Sequence, residues 1–137
     1  MEFKRISHKT NIRVRYADTD KMGFVYNGNY LAFFEVGRTE LIRSTGLPYT
    51  EFEDAGYQLP LVEAKVEYKN PAHYDDLLEV EASLDFELKA TIQINYVVRR
   101  RETVIATGYT IHSFMNAETQ RAVRPPKIFI EAIERAM

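Results

Sequence analysis

The chain contains no cysteine, so disulfides, zinc–thiolate sites and thiol nucleophiles are excluded and any chemistry must use oxygen or nitrogen groups. Histidine is scarce as well, at three residues. His8 falls in a polar N-terminal tail, His73 in a turn and His112 on a strand between Ile111 and Ser113, and no pair has metal-ligand spacing. There is no Gly-x-Ser-x-Gly elbow of the serine-hydrolase kind. No apolar run approaches the roughly 20 residues that a membrane-spanning helix needs. Residues 1–11 are polar rather than a signal-type apolar core. The expected location is therefore the cytoplasm, without membrane insertion. A basic excess is also missing, because 18 Lys and Arg stand against 20 Asp and Glu for a net charge of -2. That argues against a dedicated nucleic-acid binder, while leaving room for a local basic patch that meets a small anion.

What remains is an ordinary globular composition. The 137 residues are 45% hydrophobic and 28% charged, enough for one domain, residues 1–137, with a real core. Repeats, low-complexity tracts and linkers are absent. Residues 12–16, Ile-Arg-Val-Arg-Tyr, alternate at period two as a half-buried strand does. Residues 18–28 are rich in turn formers and predict a structured loop. Residues 29–45 predict a helix, with Tyr30, Phe33, Phe34, Gly37 and Leu41 on one apolar stripe and Gly46 as the stop. A glycine inside that stripe costs about 1 kcal/mol of helix propensity against Ala. It implies close approach to something flat, such as a sheet.

The second half alternates cleanly. Val62, Ala64, Val66 and Tyr68, then Leu78, Val80, Ala82, Leu84 and Phe86, then Ile92, Ile94, Tyr96 and Val98 each form one apolar face. A last strand runs over residues 103–115, and Pro125-Pro126 opens a short helix over 127–137. One strand, one long helix and four strands joined by short connections give an α+β layout with a largely antiparallel sheet. About five strands wrapped around the central helix is the hotdog fold.

The feature that carries chemistry is the string Tyr16-Ala-Asp-Thr-Asp-Lys-Met-Gly-Phe-Val-Tyr-Asn-Gly-Asn-Tyr30, followed by Phe34-Glu-Val-Gly-Arg38. In this string the sequence resembles the hotdog-fold acyl-CoA thioesterases of the 4-hydroxybenzoyl-CoA thioesterase type, including those encoded with bacterial Tol-Pal envelope genes. Pro71, Asp75-Asp76, Gly108 and Pro125-Pro126 sit where that family has similar residues. The resemblance implies acyl-CoA hydrolysis with Asp20 as the catalytic carboxylate, Asp18 as a structural residue, and no metal or other cofactor. It also implies that the backbone N–H of Asn27, at the start of the central helix, polarises the thioester carbonyl, flanked by Tyr26 and Gly28 in the substrate-binding segment. Helix starts carry unpaired donors and partial positive charge. Many relatives have His where this chain has Asn27, a departure that spares a main-chain donor. The family's surface-bound CoA phosphates suggest Arg99, Arg101 or Lys127 as contacts. Family sites combine two subunits, so a homodimer or homotetramer is expected.

Plainer readings stand beside these. An Asp in a loop often just hydrogen-bonds nearby amides. Glu35 and Arg38, at i and i+3, predict an intrahelical ion pair, although a different hotdog branch uses a helix Glu catalytically, which makes Glu35 the reserve candidate. Tyr26 and Tyr30 suit packing. An acyl-carrier-protein thioesterase, or a non-catalytic module binding acyl thioesters or an envelope protein, are the alternative functions. A hotdog dehydratase lacks its histidine in this loop and helix.

Overall fold

The computed structural model describes residues 4–137. Among these residues, seven strands form one antiparallel sheet beside three helices. Strand β1 (Lys4–Arg13) pairs with β4 (Leu77–Phe86), β4 with β5 (Thr91–Arg100), β5 with β6 (Thr103–Asn116), and β6 with β3 (Leu61–Tyr68). Two short strands, β2 (Tyr57–Gln58) and β7 (Arg121–Val123), extend the Asn116 end of β6. Helices α1 (Asn29–Ser44), α2 (Tyr49–Asp54) and α3 (Lys127–Arg135) complete the chain.

The expected alternation sets which face is dry. Leu78, Val80, Ala82, Leu84 and Phe86 of β4 are buried, as are Ile92, Ile94, Tyr96 and Val98 of β5. The α1 stripe of Tyr30, Phe33, Phe34, Gly37 and Leu41 lies against this surface and is buried throughout. Removing each large apolar side chain from water contributes about 1.5–3 kcal/mol before entropy is counted. Phe34 stacks on Tyr96 with ring centroids 4.2 Å apart and an interplanar angle of 3°. Gly37 meets the expectation of close approach, since a Cβ there would lie 2.7 Å from Cγ1 of Val80. Gly46 ends the helix at φ +88°, the left-handed geometry glycine adopts freely.

Two expectations need correction, the position of the first strand and the Glu35–Arg38 pairing. The first strand lies over Lys4–Arg13 rather than 12–16, with Tyr16 in a single 3-10 turn (Tyr16–Asp18), and His8 pairs with Ala82 instead of lying in a tail. Residues 1–3 of that proposed tail lie outside the described residues. The inward side of β1 includes the polar His8 and Thr10, both half-buried, which disguised the alternation. The expected sheet of about five strands is present as β1, β3, β4, β5 and β6, and the two further strands, β2 and β7, are only 2 and 3 residues long and carry no periodic signal. Glu35 and Arg38 form no ion pair; Arg38 Nη1 donates to the Tyr96 hydroxyl at 3.3 Å. No helix among the described residues is long and apolar enough to cross a membrane.

Candidate functional site

The loop between β1 and α1 is built around two aspartates with different duties. Asp18 is buried, and its carboxylate accepts from the Arg15 backbone N–H at 2.8 Å and from the Arg15 guanidinium at 3.0 and 3.4 Å. Burial pushes its carboxyl up, but the bonds and charge of Arg15 outweigh this and hold it below its ordinary value. Its main-chain oxygen accepts from the Tyr26 N–H at 2.9 Å and the Asn29 side-chain amide at 2.8 Å. Asp18 thus locks the loop to the first turn of α1.

Asp20 is exposed. Its Oδ1 accepts from the N–H groups of Met22 (2.9 Å) and Phe24 (3.3 Å), and its own N–H donates to the Phe24 carbonyl at 2.8 Å. Gly23, at φ +84°, makes this tight return possible. Among the described residues Oδ2 has no partner, so one carboxylate oxygen is anchored and the other is available.

Asp20 and Asn27 open on the same cavity of about 310 Å³, with Phe24, Val25, Tyr30, Tyr68, Lys69, Asn70 and Pro71 forming the rest of its wall. The Asn27 N–H precedes the helix and donates to nothing among the described residues, while the Asn27 carbonyl accepts from the Tyr68 hydroxyl at 3.2 Å. Tyr68 also packs edge-on against Tyr30, with ring centroids 5.5 Å apart. Burial pushes the Tyr30 phenol up to about 12, with Tyr68 and Asp76 adding to the rise and Arg100 opposing it.

A carboxylate with a free oxygen that shares a cavity with an unpaired N–H at a helix start has the groups needed to attack or hydrate a carbonyl and to stabilise the oxyanion formed. Among the described residues no three His, Asp or Glu side chains gather to hold a metal ion.

The remaining sequence candidates scatter. The Tyr26 ring is 60% exposed, outside the cavity wall, and covers Gly28, where a Cβ would lie 2.9 Å from the ring. Gly28 itself has ordinary helical dihedrals, and the crowding a Cβ would meet there comes from the exposed Tyr26 ring, so neither a tight turn nor a rigid neighbour demands glycine. Arg99 is engaged by Glu81 at 2.8 Å and Glu79 at 3.7 Å on the outer sheet face. Arg101 sits in the β5–β6 turn at φ +55° and lines a separate, larger cavity of about 610 Å³ with Arg13 and Arg100. Lys127 pairs with Glu131 at 3.7 Å on α3, whose Phe129 packs on Phe86 at the other end of β4. The run from Glu79, beside Arg99, to Phe86 spans about 23 Å at roughly 3.3 Å per strand residue, so Lys127 and the arginines serve different ends of the sheet.

Tyr68, Lys69, Asn70 and Arg100 were not anticipated. Arg100 Nη1 donates to the Pro71 carbonyl at 3.2 Å and to Asp76 at 3.0 Å. It thereby braces the 71–76 loop, whose Ala72 carbonyl accepts from the Val25 N–H beside Asp20's turn. Tyr68-Lys-Asn-Pro71 closes an expected strand, but the face its alternation marks as dry is exposed at Val62 and Tyr68, so position at the strand's end is the only sequence signal for Tyr68, Lys69 and Asn70, and Arg100 has none.

Comparison with known proteins agrees with this fold. The thioesterase-like superfamily matches over residues 14–133. Acyl-CoA thioesterase YbgC of Haemophilus influenzae is 33% identical over 117 residues, 85% of this chain and 86% of that protein. A crystal structure of an Aquifex aeolicus protein superimposes with a TM-score of 0.83 at 33% identity, covering 91% of this chain and 98% of that one. The DHNA-CoA thioesterase of Staphylococcus aureus gives 0.86 at 28% identity, with coverages of 94% and 87%. With its sheet wrapped on one long helix and its match along most of the sequence, the chain belongs to the thioesterase-like superfamily and is a hotdog-fold enzyme of its thioester-hydrolysing kind.

Proposed function

We propose that this enzyme hydrolyses an acyl-CoA to the free acid and CoA, in the cytoplasm and without a metal, with Asp20 acting as nucleophile or general base and the Asn27 N–H polarising the carbonyl. The observation that carries this reading is the shared cavity, into which Asp20 brings an unengaged carboxylate oxygen and Asn27 an unengaged helix-start donor. A thioester needs little more, because its thiolate leaves without a proton and only the addition step requires a nucleophile and an oxyanion donor. The acyl-CoA name of the Haemophilus relative supports CoA as the carrier. Of the proposed phosphate contacts, Arg101 is the best placed, sharing a cavity with Arg13 and with Arg100, which braces the site wall. The chain works as a homodimer or homotetramer, an assembly supported by the exposed edge of β3.

Thiol release from a panel of short, long and aromatic acyl-CoAs tests the reading, with acyl-carrier-protein thioesters assayed alongside. Hydrolysis of at least one acyl-CoA, surviving exhaustive EDTA treatment and reduced on the order of 10³-fold or more by Asp20→Asn, is the expected result. No acyl-CoA turnover, or full activity in Asp20→Asn with loss in Glu35→Gln, would overturn it.

A further inference from the structure

Within the proposed thioesterase reaction, we infer that Tyr30 is a further catalytic residue, its hydroxyl donating to the thioester oxygen beside the Asn27 N–H. Tyr30 is 3% exposed yet walls the cavity that holds Asp20 and Asn27. Its hydroxyl has no hydrogen-bond partner among the described residues. Nor is it sealed away, since the only sealed, unpartnered side-chain oxygens among those residues belong to Thr10 and Asp85. The small accessible part of Tyr30 therefore includes its oxygen, and the space it meets is the cavity. A buried hydroxyl left without a partner carries a desolvation cost, which a ligand oxygen would relieve.

The backbone aims it. Tyr30 lies in the first turn of α1, three residues beyond Asn27, and helix side chains lean toward the helix N-terminus. The ring is fixed edge-on between Phe33 at 5.6 Å and Tyr68 at 5.5 Å. Tyr68 cannot substitute, because its own proton is committed to the Asn27 carbonyl. Tyr30 stays neutral across the working range, being pushed up to about 12, so it holds its proton as a donor rather than losing it.

The step balances without net proton loss from the phenol. An oxygen of Asp20, or of a water it deprotonates, bonds to the carbonyl carbon while the C=O π pair moves onto oxygen. That oxyanion accepts from Asn27 N–H and Tyr30 O–H. The pair then returns, the C–S bond breaks and CoA leaves as thiolate, giving the free acid directly where water has added, or an Asp20 mixed anhydride that a water then hydrolyses to free acid and the restored carboxylate. A weak acid is of little use to a thiolate, which places the value of Tyr30 at the oxygen.

The experiment compares Tyr30→Phe with the parent enzyme on the best acyl-CoA, measuring kcat, KM and Tm. We expect kcat to fall on the order of 10- to 100-fold, below the 10²–10³ typical of a principal oxyanion donor, with KM and Tm little changed. As a second measurement, the Asp20→Asn variant is loaded with carbonyl-labelled acyl-CoA. The bound C=O stretch should move toward its free-solution frequency when Tyr30→Phe is added. Unchanged kcat, or a carbonyl stretch indifferent to Tyr30→Phe, overturns the assignment. A parent enzyme with no acyl-CoA turnover instead overturns the function on which it rests.

Discussion

The side-chain amide of Asn29 donates to the main-chain oxygen of Asp18 at 2.8 Å, across eleven residues of chain. The same oxygen accepts from the Tyr26 N–H, so one carbonyl fastens both the approach to Asn27 and the first turn of α1. Asn29→Ala removes one of these two bonds and should cost about 1 kcal/mol of stability. It should also lower kcat more than its modest Tm loss suggests, because Asn27 moves relative to Asp20. Asp18→Asn, which loses the charged partner of Arg15, should lower Tm further. Parallel thermal melts and thiol-release assays check both, and an Asn29→Ala enzyme with unchanged kcat would separate the loop from catalysis.

Gly108 faces α1 from β6. A Cβ there would land on the Lys65 carbonyl oxygen of β3 and lie 2.8 Å from Cε2 of Phe34. Backbone on one side and a stacked ring on the other leave no direction of relief, so Gly108→Ala should cost more than the 1–3 kcal/mol usual for overpacking. Gly37→Ala meets side chains alone, crowding Val80 Cγ1 at 2.7 Å and touching Ala82 Cβ at an ordinary 3.6 Å, and should fall within that range. Urea unfolding of the two variants decides; equal losses would mean that the β3–β6 contact yields as easily as a methyl group.

These glycines also mark how far the sequence reaches. An apolar stripe interrupted by Gly37 does announce a helix against a sheet, and the string around Asp20 and Asn27 does place both on one cavity. What pattern reading misses is whatever distant register creates. Tyr68 reaches Asn27 from 41 residues away and Arg100 reaches Pro71 from 29, and no local periodicity encodes either meeting. The Glu35–Arg38 pairing fails for the same reason, since the phenol of Tyr96, 58 residues on, takes the guanidinium. Helix α2 escaped because its 6 residues bury only Phe52, too little to form a stripe.

Strand β3 pairs with β6 along one edge only, and its other edge has no partner among the described residues. Leu61, Val62 and Tyr68 are 54%, 61% and 51% exposed. An unpaired apolar edge invites pairing with a second copy, most simply about a twofold axis. The enzyme should therefore elute as a dimer or larger species at micromolar concentration, and Val62→Arg should shift it toward monomer with loss of activity. A fully active monomer would rule out a shared site.

His112 should give the fold an acid-sensitive stability. The ring is 1% exposed, with Nδ1 3.0 Å from the Leu59 carbonyl and Nε2 3.0 Å from the Thr110 hydroxyl. The Thr110 oxygen lies 2.6 Å from the Tyr96 hydroxyl, which in turn receives Arg38. Each end fixes a direction, because a carbonyl only accepts and a guanidinium only donates. Nδ1 must carry the proton, Arg38 donates to Tyr96, Tyr96 to Thr110, and Thr110 to Nε2. A second proton on Nε2 would face the Thr110 donor and break this order. Burial lowers the His112 pKa, the Leu59 carbonyl opposes that, and Arg38 adds to the lowering. The unfolded chain, with an ordinary value near 6.5, then binds the proton first as pH drops. Stability from the neutral ring is complete above about 6.5 and is lost as pH falls toward the lower folded value. Glu35, which shares a small surface cavity with Arg38 and Leu59, is exposed, and the carboxyls held low, Asp18 and Asp76, titrate in a more acidic range. Urea midpoints should decline between pH 7 and 5 in the parent protein and much less in His112→Gln, while the imidazole nitrogen shifts report a neutral Nδ1–H ring at pH 7. A midpoint flat over that interval, or an equal decline in the variant, would show that the relay does not hold His112 neutral.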